Sequence, residues 1–542
     1  MRPGPVARLI ALVVLVAAGA ATFLGLRPPD PVPADTPASE FSAERAFPVV
    51  ADIAREPRPL GSAANARVRD DLTDRLTGLG LTPRVESPLG NVVATLPGTA
   101  PTGQVVLAAH LDSVPQGPGA ADDAAGVAAV LETVRALRAG PPLRNDLTVL
   151  LTDGEEAGLR GARQWVRDGL DRTTPTVVLN HEARGVSGQS LLFRTSPGNA
   201  GLVHAMRAVP HPAGNSSLVA IFRLLPNDTD LSVVIGAGRP GIDSAFVEEP
   251  EKYHTAADSP ANLDPASVQS QGSTMLALAR ELGATDLAPL DPTASGLPPQ
   301  PDAVYFPLGD VLVTYPVAWE WPLAGLAVVG LVVVAALARR RELLTTRDAL
   351  LPGATSPLPL VGAAALAIGL WQLLLVLRPE YADRPFLDRP VPYEVATVAL
   401  AVLAVSVWHV RVRRRVGPCA AALGAAAPLA VLGLLAAAFV PGAAFLTTWP
   451  ALGLVIGQAL SVATRNSTAA TVLAAVPSVV FLAPFAVAAF GIGGVATPIP
   501  AVAFALLGLP VVAVLDPVGR RAAALPALAL VVAVGATAVG LA

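Results

Sequence analysis

Acidic and imidazole side chains gather in a few short stretches of this chain. These are Ala109-His110-Leu111-Asp112, Ala121-Asp122-Asp123-Ala124, Thr152-Asp153-Gly154-Glu155-Glu156, Asn180-His181-Glu182 and Glu251-Lys252-Tyr253-His254-Thr255. Carboxylate and imidazole donors without cysteine are the ligand set of a hydrolytic zinc site rather than a structural one. One such cation is satisfied by three protein ligands and a water. The stretches hold five good ligands and a spare glutamate, enough for two metals sharing a carboxylate and an activated water. Any one of these residues alone would pass for a solvated loop acid or a satisfied histidine. Their joint occurrence is the signal.

The elements around them explain why they should meet. Val105–Ala109, Leu147–Leu151 and Thr176–Leu179 read as short buried strands, and Ala124–Arg138 and Gly161–Asp168 as helices. A further helix is expected from Ala63, where Val68, Leu72, Leu76 and Leu79 recur at helical spacing and Gly80 stops the run. Alternation of strand and helix predicts an α/β sandwich with a mostly parallel central sheet. Such sheets bind ligands at the carboxyl ends of their strands, and three of the acidic stretches fall there.

The rest of the chain is of another kind. Of its 542 residues 52% are hydrophobic, and the mean hydropathy of +0.54 is too high for one soluble globule. Leu9–Leu26 is long enough to cross a bilayer and follows Arg8, which favours an uncleaved anchor over a signal peptide. Eight more candidates follow: Trp321–Ala338, Leu358–Leu377, Val395–Val410, Cys419–Val440, Ala444–Ala463, Ala469–Phe490, Pro500–Leu515 and Ala522–Leu541. Every second loop is basic, with Arg2 and Arg8, then Arg339–Arg341 and Arg347, then Arg411 and Arg413–Arg415, then Arg465, then Arg520 and Arg521. By the positive-inside rule these loops are cytoplasmic. Nine crossings and an outward-facing polar domain are expected. Ionisable residues within the spans are nearly absent, His409 lying at a helix end, so an anchor or scaffold is favoured over a transporter.

The expected organisation is an anchor at 1–26, a Pro-rich linker at 27–46, a catalytic domain at 47–285, a second linker at 286–320 and a membrane domain of about eight helices at 321–542. A net charge of −4 and no basic recognition helix give no reason to expect nucleic acid. Cys419 is the only cysteine, so no intrachain disulfide is possible. Lys252 is the only lysine among 38 basic residues, which points to a GC-rich genome and, with the topology, to a bacterial plasma membrane.

Five ordered motifs, HLDSV, ADDAAGVAAVLE, TDGEEAGLRGA, LNHEARG and YHTAADSP, resemble the co-catalytic zinc exopeptidase family of bacterial leucyl aminopeptidases and glutamate carboxypeptidase II. The likeness covers about Phe47 to Leu282. With its helices the chain is similar to the multispanning branch of endoplasmic reticulum metallopeptidase 1 and the fungal vacuolar membrane protease. The resemblance implies two zinc ions per chain and metal-assisted hydrolysis of a peptide bond near a chain end. His110 and Glu182 would hold the first zinc, Glu156 and His254 the second, and Asp122 would bridge them. Asp122 is preferred to Asp123 because the family's glycine falls four residues after the ligand, at Gly126. Glu155 would be the general base, Asp112 would orient His110, and Tyr253 would donate to the oxyanion. Many soluble members carry Asp where this chain has Glu182, whereas the membrane branch has Glu; His181 beside it competes for that role.

Three functions follow from these residues. The first is a membrane-anchored peptidase, an aminopeptidase, acting on peptide or protein ends outside the cytoplasm. The second is a glutaminyl-cyclase-like enzyme with one zinc, for which His110 would be superfluous. The third is an inactive chaperone or binding module, which would ordinarily have lost the base or a ligand. Asn215 and Asn227 lie in N-x-Ser/Thr sequons, and Asn227–Asp230 is a candidate for shaping a pocket. Oligomeric state is not legible.

Overall fold

The computed structural model describes residues 5–222, 228–383, 386–387, 389–464, 468–516 and 520–541. Arg2, Asn227 and Arg465 lie outside them. The chain divides into two compact units, Gly25–Val317 and the apolar helices that make up the remainder.

In the first unit seven strands form one sheet. They are β1 (Arg84–Glu86), β2 (Asn91–Leu96), β3 (Gln104–His110), β4 (Asp146–Thr152), β5 (Thr176–Ala183), β6 (Leu191–Thr195) and β7 (Gly241–Phe246), in the order β1-β2-β4-β3-β5-β7-β6. The four central strands β4, β3, β5 and β7 run parallel, and the outer pairings are antiparallel. Val, Leu and Ala runs suit the centre of such a sheet, because both of its faces are covered. Val105, Leu107 and Ala109 pack on one side with helices Ala43–Ile53, Gly126–Arg138 and Pro265–Ala284. Val106, Ala108, Leu150 and Val178 pack on the other with Trp165, Leu231 and Val234. The result is a three-layer α/β sandwich.

Helix Ala63–Gly78 begins where expected: the Ser62 side chain accepts the Asn65 N–H, and Leu72 and Leu76 are fully buried. The helix expected from Ala124 starts instead at Gly126. Ahead of it Asp122 (φ −111°, ψ 88°) and Asp123 (φ −130°, ψ 39°) are not helical. Asp123 accepts the backbone N–H groups of His110 (3.2 Å) and Gly126 (3.0 Å), which holds this turn out of the helix.

Neither expected linker is a free spacer. Within 27–46, the Val32 N–H donates to Gln269 Oε1, and Ser42 Oγ donates to the Val32 carbonyl. The stretch 286–320 contains a hairpin of β8 (Ala303–Leu308) and β9 (Val311–Pro316). Its Tyr305 is fully buried and donates to the Leu192 carbonyl, so the hairpin belongs to the folded unit.

The second unit matches the apolar runs closely. Among the described residues seven helices are long and apolar enough to cross a membrane, and two shorter apolar ones span Leu9–Gly25 and Ile499–Leu515. A helix at Thr346–Thr355, absent from the expectation, precedes Leu358–Leu377. Buried charge is not wholly missing either. Arg413 makes a two-pronged contact to Asp516 (2.5 and 3.0 Å) with His409 Nε2 3.6 Å away, and Glu320 accepts the N–H groups of Gly442 and Ala444.

Candidate metal centre

The parallel sheet puts the acidic stretches at one edge. β3 ends on His110, paired with Thr152 at the end of β4, while Ala108 pairs with Asn180 of β5. Successive side chains on a strand alternate faces, so Glu182 emerges on the same side as Asn180, next to His110. His181 points the other way and meets Ser244 Oγ at 2.7 Å. Burial pushes its pKa down to about 3. It plays no part in the cluster, which leaves Glu182 as the β5 candidate.

Asp122 stands at the middle. Its Oδ1 lies 3.0 Å from His110 Nε2 and its Oδ2 3.1 Å from His254 Nε2. Glu182 Oε2 is 3.8 Å from His110 Nε2, and Glu156 Oε1 is 3.1 Å from His254 Nε2. Two donor triads result, His110–Asp122–Glu182 and Asp122–Glu156–His254, each with its ligand atoms within 4.8 Å of one another. Glu155 joins His110 and Glu156 in a third grouping at the same distance. Asp123, by contrast, is spent on backbone N–H groups. Gly126 answers to that carboxylate: a Cβ there would lie 2.3 Å from Asp123 Oδ1.

Supporting contacts fix these donors. His110 Nδ1 faces the Asp112 carbonyl at 3.2 Å and its Oδ1 at 3.5 Å. The same Asp112 carboxylate accepts the N–H groups of Glu155 (3.1 Å) and Glu156 (3.3 Å), tying the loops after β3 and β4 together. His254 sits at φ 58°, in the left-handed region that non-glycine residues rarely occupy. Strain of this kind is tolerated where a side chain must be aimed. The Tyr253 ring stacks on His254 at 3.7 Å.

Crowding shows in the proton affinities. Burial first, then the charges of Asp230, Asp122 and Glu156, push Glu155 up to about 9. Burial also raises Glu156 and, strongly, Glu182. Although burial pulls His254 down, its contacts with Asp122 and Glu156 bring it up to about 10. Carboxyls that rise while neighbouring imidazoles also rise mark a pocket short of positive charge. A divalent cation would supply it. The donor geometry agrees: His254 Nε2 and Glu156 Oε1 are buried, yet neither makes a well-directed hydrogen bond. Lone pairs so placed suit a shared cation, and the residues fit zinc.

Residues 91–279 match the family model for Peptidase family M28. The chain carries an M28 peptidase domain. Endoplasmic reticulum metallopeptidase 1 of Rattus norvegicus is 34% identical over 203 residues, taking in 36% of this chain and 23% of that protein. The vacuolar membrane protease of Coccidioides posadasii is 35% identical over 192 residues, 34% of this chain and 19% of that protein. The match thus spans less than a quarter of either relative's length. Among solved structures, a Porphyromonas gingivalis glutaminyl cyclase shares 21% identity over 45% of this chain and 99% of its own, with a TM-score of 0.38. A zinc aminopeptidase from Bacillus subtilis shares 15% over 45% and 95%, with a TM-score of 0.36. Together with the long apolar helices, the membrane relatives make this a multi-pass membrane protein. They are named for internal membranes and lend nothing to the expected bacterial plasma membrane.

Parts of the M28 domain's site had no clear signal in the sequence. Asp258 accepts the N–H groups of Ala121 (2.6 Å) and Asp122 (3.2 Å), pinning the turn that carries Asp122. It lies within YHTAADSP, so the motif held a hint. Arg58 is fully buried and donates to the carbonyls of Leu111 (2.7 Å), Gly119 (3.1 Å) and Pro118, bracing the loop beneath the cluster. Nothing at its own position announced that. Asn180 bridges Glu182 Oε1 (3.1 Å) and Asp243 (2.8 Å), and Asp243 is held in turn by Arg194 (2.6 Å). Asp230, suspected of shaping a pocket, is buried and accepts from Thr152. Asn215 only caps its own turn, accepting the Ser217 N–H.

Proposed function

We propose that this chain is a membrane-anchored metallopeptidase that holds two zinc ions and removes residues from the amino end of peptides, outside the cytoplasm. The observation that carries this is Asp122, whose two oxygens face two different histidines, each with a carboxylate of its own beside it. Zinc ions held by these residues would supply Lewis acidity, lowering the pKa of a bound water.

The chain's own groups do the rest. His110, Asp122 and Glu182 make one set of ligands, and Asp122, Glu156 and His254 the other. Glu155 coordinates neither. It is half-buried beside the ligands and fixed by its backbone N–H to Asp112, so its carboxylate is placed to take a proton from the attacking water and return it to the leaving nitrogen. Tyr253, whose hydroxyl burial keeps protonated, donates to the oxygen that gains charge. Asp112 holds the His110 ring.

The amino end is favoured by charge. Asp112, Asp123, Asp230 and Asp258 are all buried around the ligands, and Arg58 is the buried cation among them. An ammonium terminus is drawn into that field and a carboxylate terminus repelled. A one-metal cyclase would have no use for His110 and Glu182 on the far side of Asp122, and an inactive module would not keep Glu155. Assaying the purified full chain with zinc on amino-acid p-nitroanilides and on N-blocked peptides tests the proposal. Hydrolysis of the first alone, lost on chelation and restored by zinc, is expected. Cleavage of N-blocked peptides alone would make it a carboxypeptidase.

A further inference from the structure

In the membrane unit, an apolar groove runs between helices Thr346–Thr355, Leu358–Leu377 and Val391–Arg413. Its volume is about 610 Å³, within the roughly 300–1,000 Å³ of sites that enclose a small ligand. Leu358, Leu366 and Leu403 line it, and Trp408 closes one wall by donating from Nε1 to Thr355 Oγ1 at 3.2 Å. The floor is low because Gly362 faces Ala404: a Cβ at Gly362 would lie 3.7 Å from the Ala404 Cβ. Leu358 is 62% exposed, so the groove opens to the side.

One end of this groove is cationic. Arg411, in the last turn of Val391–Arg413, and Arg415, two residues past its end, both line it and are exposed. Their neighbour Arg413 is committed to Asp516. Among the described residues neither Arg411 nor Arg415 has an ion-pair partner. They belong to the basic turn expected on the cytoplasmic side. An apolar trough with two free guanidinium groups at the cytoplasmic end is complementary to a molecule with an acyl chain and an anionic head.

We propose that this groove is a binding site for one acidic glycerophospholipid of the inner leaflet, its chain along Leu358, Leu366 and Leu403 and its phosphate between Arg411 and Arg415. The binding mode follows from the ordinary behaviour of the parts. The guanidinium groups supply bidentate phosphate contacts, and the low floor admits a chain that a flat helix pair would exclude.

Trp408 reports occupancy. The full chain is placed in vesicles of phosphatidylcholine containing phosphatidylglycerol, with brominated chains on one lipid or the other, and the Trp408→Phe variant is subtracted to isolate that side chain. Two arginines near the head group favour the anionic lipid by on the order of tenfold at low salt. Brominated phosphatidylglycerol is therefore expected to quench Trp408 far more effectively per molecule than brominated phosphatidylcholine. Arg411→Gln with Arg415→Gln should abolish that preference. Gly362→Leu, which fills the trough and leaves both charges, should reduce quenching by either lipid. Equal quenching by the two lipids in the wild type, or an undiminished preference in the double variant, would overturn the proposal. So would loss of the preference on adding inorganic phosphate at constant ionic strength, which would make the ligand a soluble anion.

Discussion

Buried charge is handled in opposite ways by the two units. Among the described residues of the membrane unit the buried acids are matched: Asp516 takes both prongs of Arg413, and Glu320 accepts two backbone N–H groups. In the M28 domain the carboxylates of Asp122, Glu155, Glu156 and Glu182 converge with two histidines and too little positive charge. Matched charge staples helices together. Unmatched charge, expensive to bury, persists where something outside the chain completes it. The contrast separates a scaffold from a site without reference to any relative.

The largest effect should come from Glu155→Gln. If Glu155 is the base and not a ligand, turnover falls by roughly 10²–10⁴-fold while bound zinc, measured on the same sample, stays as in the wild type. Loss of metal with activity would return Glu155 to the ligand set. On the other side of the comparison, Arg413→Met takes both prongs away from the buried Asp516 and leaves it only His409 Nε2 at 3.6 Å, which costs up to about 3–5 kcal/mol in unfolding of the full chain in detergent. Arg413→Met combined with Asp516→Asn should recover most of that loss. If it does not, the pair is more than a staple.

Smaller effects test the supports. Asp258→Ala frees the N–H groups of Ala121 and Asp122, and should weaken zinc affinity by roughly 10–100-fold in chelator competition with little change in the fold. His181→Gln should matter least. It disturbs a hydrogen bond to Ser244, worth about 1 kcal/mol, on the face of β5 away from the cluster, and zinc content should be unchanged. A drop in zinc would restore His181 as a competitor of Glu182.

What could be read beforehand follows the same division. Buried parallel strands announce themselves as apolar runs, so β3, β4 and β5 were legible, as were the membrane helices. β6 and β7 were not, because LLFRT and GIDSAF carry Arg194, Asp243 and Ser244 into the interior, where pairing rather than hydrophobicity keeps them. The hairpin β8–β9 hid behind prolines, although its Leu308-Gly309-Asp310-Val311 turn, with Gly309 at φ 60°, lay between alternating runs. At the site the donors were visible as residue types. Arg58 and Asp243 were not, since they act on chain segments about 50 or more residues away.

The proposed function requires Asp122 to lie between two cations. Elemental analysis of the purified full chain, wild type and His110→Ala, asks this directly. About two zinc ions per wild-type chain, falling to about one in the variant, is the outcome expected of a shared carboxylate with a histidine on each side. One zinc in the wild type, unchanged by His110→Ala, would contradict it.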